Sequence, residues 1–207
     1  MTGFARIPGR AILLPVLIVL LPIAAVLAWH APSNTKAYFS ESGPIERLSA
    51  SFLLLSFAWL ALRRDVSRWH QVVLILAAAL RELDWDKAFT EQGMLSLGLY
   101  VGDHPMGQRL AGAAVLVVLV WAVQRLLRRD LRRWLTGLRR GVESSWTMLA
   151  AVLLYVVAKT LDGLGRKLAS LGIEISQQLN DAAGRGEEVL ELFAAFLILW
   201  IVAISRR

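Results

Sequence analysis

The chain has 207 residues, 57% of them hydrophobic, with 8 Trp and a formal net charge of +7. A soluble domain carries about 45–50% apolar residues; here the excess is gathered into blocks, which marks a membrane protein rather than a large soluble core. The absence of Cys excludes disulfides, thiolate metal sites and cysteine nucleophiles, and three scattered histidines (His30, His70 and His104) exclude a histidine-rich metal site.

Six apolar segments follow one another. They predict an all-α, polytopic integral membrane protein, with six transmembrane helices in one bundle and a single domain over residues 1–207. The expected spans are about 11–29, 45–63, 69–88, 109–127, 144–162 and 188–206. The first follows Arg6 and Arg10 and is long for a signal-peptide core, so it reads as a retained helix. Val26-Leu27-Ala28 nonetheless has the form of a cleavage site, and cleavage would leave the orientation of the other five unchanged. The second segment is flanked by Glu46 and Arg47 and carries Ser49, Ser51 and Ser56. A turn with Arg63, Arg64 and Arg68 against Asp65 leads to the third, which ends in Arg81-Glu82-Leu83-Asp84-Trp85-Asp86-Lys87. Residues 94–100 are apolar but broken by Gly98 and followed by Gly102 and Pro105, as expected for an interfacial or re-entrant segment.

After the fourth segment, arginines from Arg125 to Arg140 alternate with Leu126, Leu127, Leu131, Trp134, Leu135 and Leu138. This reads as a basic amphipathic extension lying on anionic lipid. Beyond the fifth, Leu164, Leu168, Leu171, Ile175, Leu179 and Ala182 recur at helical spacing and predict an amphipathic helix on the outer face. The sixth segment runs to Arg206 and Arg207. Basic connections thus alternate strictly with neutral or acidic ones. The positive-inside rule then puts both termini in the cytoplasm, with the protein in a bacterial cytoplasmic (inner) membrane. Because this placement explains the positive charge, no nucleic-acid partner is expected.

A hydrocarbon core of about 30 Å needs about 20 residues at about 1.5 Å each. The third, fifth and sixth segments have too few apolar residues and must continue through polar ones on the outer side. Arg81 and Glu82 would then lie roughly 9–11 Å below the outer boundary. Helices two, three, five and six are expected to enclose an outward-opening polar cavity, with one and four outside against lipid.

Ionisable groups at membrane depth are costly and mark function by default. On a continuous helix Glu82 and Asp86 share a face, and two acids so placed need a cation or a proton. The expected catalytic residues are Glu82, Asp86 and Asp162, one as general acid and another as base. The expected ligand-binding residues are Arg81, Lys159, Arg166, Glu188 and Glu191. Asp86, Asp162 and Glu191 could hold a divalent cation through oxygen ligands. A lipid-linked or periplasmic small molecule suits a site that opens outward. Two other readings stand beside it. The charges could be interhelical ion pairs of a structural or assembly protein, for example Arg81 with an acid of helix six and Lys159 with Glu82 or Asp86. They could also serve proton or ion movement, although the inner halves of these helices contain no acid. The residues leave open whether the protein is an enzyme, and whether it forms a homo-oligomer or joins a membrane complex.

Overall fold

The computed structural model describes residues 10–32, 35, 38–39, 43–63, 65–85, 93–94, 96–102 and 104–204, with side chains in the first helix from residue 19 onward. Among these residues the chain is all-α and contains no strand. The helices are α1 (Arg10–Trp29), α2 (Pro44–Leu62), α3 (Trp69–Glu82), α4 (Gly98–Val101) and α5 (Met106–Arg129). They continue as α6 (Leu131–Arg139), α7 (Glu143–Leu161), α8 (Leu164–Ala169) and α9 (Gln177–Ile204), with a 3-10 turn at Val66–Arg68 leading into α3.

Among the described residues three helices, α2, α5 and α7, are long and apolar enough to cross a membrane. Their 19, 24 and 19 residues correspond to about 28–36 Å of rise. In α1 the described side chains Val19–Trp29 form a shorter apolar run.

α9 is the central helix and packs against α7, α2 and α1; α2 also packs on α3, and α3 on α5. Leu53 of α2, Ala79 of α3 and Ala195 of α9 are fully buried together. Small residues line these contacts, including Ala50, Ala151, Ala158, Ala183 and Ala194, because close backbone approach is what drives packing between helices in lipid. The buried serines of α2 bond along their own helix, Ser49 Oγ donating to Ile45 O at 3.1 Å and Ser56 Oγ to Phe52 O at 2.7 Å. Both hydroxyls are thereby matched within α2 itself. Of the three crossing-length helices α5 is the least buried, in keeping with a peripheral position.

Two expectations are corrected. The third helix was expected to run from 69 to 88, but α3 ends at Glu82 after 14 residues, about 21 Å of rise. Asp84 adopts φ 53, and a left-handed residue ends a right-handed helix. Glu82 is therefore the last residue of α3, and Asp86, expected to share its face, lies outside the described residues. The outer amphipathic helix is likewise divided. Gly172 (φ 77) closes α8, with Gly172 N donating to Ala169 O and Ile173 N to Leu168 O. This is the glycine-dependent stop that helices commonly use. Leu179 and Ala182 belong instead to α9, which begins eleven residues before the expected sixth span (188).

Candidate functional site

The first turn of α2, the last turns of α3 and α7, and residues 187–191 of α9 meet at one end of the bundle. Lys159 is the link. Its Nζ lies 3.1 Å from Glu187 Oε1 and 2.6 Å from Glu191 Oε1, joining α7 to α9. The Glu191 contact is an ion pair by distance, although not an aligned hydrogen bond. Lys159 thus joins α7 to α9 rather than pairing with Glu82; its other expected partner, Asp86, lies outside the described residues.

Glu82 lies within electrostatic reach of Glu191, Lys159, Glu46 and Arg81. Glu188 is near Glu191, Glu46, Glu187 and Glu82. Among the described residues no cation is within ion-pairing distance of Glu82 or Glu188. The buried Tyr155 hydroxyl has no hydrogen-bond partner among the described residues, and it lies within electrostatic reach of Glu82, Glu191 and Arg81. Among the described residues the cluster thus carries more carboxylates than cations.

The other expected residues are placed differently. Asp162, which follows α7, stands within electrostatic reach of Glu187, and among the described residues no contact joins it to Glu82. Arg81 is exposed, and among the described residues no ion pair ties it to α9. Arg166 lies with Gly165, Ala169, Glu174, Ile175, Gln177 and Asn180 around a concavity of about 410 Å³ beside the cluster. The divalent-cation set gains no support: among the described residues no group of three His, Asp or Glu side chains is arranged to hold a metal, and Asp86 lies outside them.

Two arrangements were not anticipated from the sequence. Arg185 of α9 donates through Nε to Ala28 O at 2.7 Å and through Nη2 to Trp29 O at 3.0 Å. A cation here satisfies the open carbonyls at the end of α1. At the opposite end of the bundle, Asp130 accepts from His70 Nε2 at 2.7 Å and from Gln71 Nε2 at 3.0 Å. Arg129 Nη1 donates to Ser67 O at 2.7 Å, so α3 is clasped to the α5–α6 joint. His70 is almost fully buried.

Burial pushes the Asp130 carboxyl up, but the hydrogen bonds from His70 and Gln71 outweigh it and hold it below its ordinary value of 3.8. A depressed carboxyl contributes stability that is present above its unfolded value and lost as pH falls through the folded one. Asp130→Ala should therefore weaken the fold by about 2 kcal/mol at neutral pH, leaving buried His70 Nε2 unmatched. The deficit should shrink as pH falls below about 4. Chemical unfolding in detergent at several pH values measures both.

Comparison with known protein families, curated proteins and solved structures finds no match to this chain.

Proposed function

We propose that the protein is a six-span bacterial inner-membrane protein, with both termini cytoplasmic, whose outward-facing carboxylate cluster binds or processes a lipid-linked or periplasmic small molecule. One observation carries this reading: Glu82 and Glu188 both lie within electrostatic reach of Glu191, and Glu82 and Glu191 lie within reach of the Tyr155 hydroxyl, while Lys159 is committed to Glu187 and Glu191. A group that carries positive charge and hydrogen-bond donors would complete these partners. In this arrangement the short α3 leaves Glu82 below the outer boundary, open to water from that side.

Ethanolamine is a suitable probe, being a small ammonium compound and a lipid headgroup fragment. Millimolar ethanolamine should raise the thermal midpoint of the detergent-solubilised protein. At about 100 times the dissociation constant the gain would reach about 2.7 kcal/mol. Glu82→Gln and Glu188→Gln should abolish that gain while the unliganded midpoint stays near wild type. The structural reading is favoured by the Lys159 bridge, and it predicts instead that these variants lose folded protein and that ethanolamine has no effect.

Topology has its own test. Since the chain contains no Cys, cysteine at Ser96 should react in intact cells with an impermeant thiol reagent, and cysteine at Ser67 should react only after lysis. The opposite pattern would invert the assignment.

A further inference from the structure

The helix α6 is fixed between the end of α5 and the start of α7, both long and apolar enough to cross a membrane. It is held there closely. Trp134 Nε1 donates to Ser145 O at 2.9 Å, Trp146 Nε1 to Leu138 O at 3.2 Å, and Val142 N to Gly137 O at 2.9 Å. These contacts turn the Trp134 and Gly137 side of α6 onto α7 and leave another side uncovered. At 100° per residue Leu131 and Leu135 lie on one edge, and Arg132 and Arg139 flank it. All four are exposed, and so are Arg133 and Arg140 on the far side.

The apolar edge does not stop at α6. Exposed Leu127 of α5 and exposed Trp146 of α7 continue it onto the two crossing-length helices. Two arginines nearer the bundle are used otherwise: Arg129 donates to Ser67 O, and the Arg125 guanidinium lies 5.9 Å from the centre of the Trp69 ring; Arg128 is exposed. Among the described residues no acid pairs with Arg132, Arg133, Arg139 or Arg140, and nearby Asp130 is occupied by His70 and Gln71.

We infer that α6 docks on the membrane leaflet at this end of the bundle through anionic phospholipid. Leu131 and Leu135 enter the acyl boundary, while Arg132 and Arg139 meet the phosphates beside it. Tethering to α5 and α7 holds the helix at the depth of the lipid headgroups, and its sign of charge selects an anionic lipid over a zwitterionic one. The inference narrows the basic run from Arg125 to Arg140 to one edge of one helix. It stands independently of the carboxylate cluster but needs α5 and α7 to cross the bilayer.

The absence of Cys makes a single probe clean. The full chain carrying Leu135→Cys, labelled with a polarity-sensitive fluorophore, is reconstituted in nanodiscs of phosphatidylcholine with or without phosphatidylglycerol, the lipids carrying brominated acyl chains as quenchers. Quenching should be clearly stronger with phosphatidylglycerol and should fall with added salt. Arg132→Gln and Arg139→Gln should each weaken the preference for the anionic lipid by about fivefold, and the double variant should lose it. Equal quenching in both lipids overturns the inference, as does an unchanged preference in the double variant. Tight binding of an RNA oligonucleotide without any lipid preference, or a change of oligomeric state as the sole consequence of losing the arginines, also overturns it. Arg133→Gln, on the far side of α6, should have a smaller effect, and this distinguishes an oriented edge from total charge.

Discussion

Lys159→Met should lower the unfolding free energy by about 2–3 kcal/mol. That is somewhat less than the 3–5 kcal/mol typical when one partner of a fully buried pair is removed, because the Lys159 side chain remains 37% exposed and is partly screened by solvent. The loss arises mostly at Glu191, whose side chain is 7% exposed and would lose its ion-pair partner. A second substitution separates the two causes. If the stranded carboxylate is responsible, Lys159→Met with Glu191→Gln should recover most of the stability, and the coupling in a double-mutant cycle should exceed about 1 kcal/mol. Equal losses in the single and double variants would instead mean that the aliphatic stem of Lys159, not its charge, supports the α7–α9 contact. Denaturant unfolding of the four proteins in one detergent is sufficient to decide.

Gly137→Ala should cost about 2 kcal/mol, within the usual range for overpacking a tight contact. A Cβ at this position would overlap Ser145 Oγ and lie 3.1 Å from Ser145 Cβ. Rotating the hydroxyl relieves only the first clash, so the α6 backbone must move away from α7. Ser145→Gly removes both atoms, leaving Val142 Cβ at an ordinary 3.7 Å, and should restore most of the stability lost by Gly137→Ala. Failure of that rescue would show that the glycine is needed for something other than its approach to Ser145. The same variant also tests the lipid contact: a displaced α6 should weaken the response to phosphatidylglycerol even though every arginine is present.

The helices of crossing length were legible in the sequence. Their expected spans at 45–63, 109–127 and 144–162 coincide closely with α2, α5 and α7, because an apolar run of bilayer length must satisfy its backbone hydrogen bonds internally. The basic amphipathic stretch was legible for a similar reason, since its periodicity is a property of α6 alone. Less legible were the helix ends set by single backbone conformations. Asp84 interrupts a run of otherwise helix-compatible residues, and nothing in its neighbours' polarity signals a positive φ. Gly172 was a usable signal. A glycine inside a periodic pattern is a candidate helix stop, and it was outweighed by the regular spacing of leucines on either side.

Within the cluster, residue types were readable and partners were not. Composition and local pattern determined an all-α chain, helices of bilayer length, a basic surface helix, and the gathering of carboxylates and bases at helix ends. Only the tertiary structure decided that Lys159 bridges Glu187 and Glu191, that Asp162 stands beside Glu187, that Arg185 closes the end of α1, and that Asp130 clasps His70 and Gln71. The physical reason is that apolar burial in a helix repeats every 3.6 residues and is written locally. An ion pair between helices depends instead on the rotation and depth of each, which packing across the whole bundle sets.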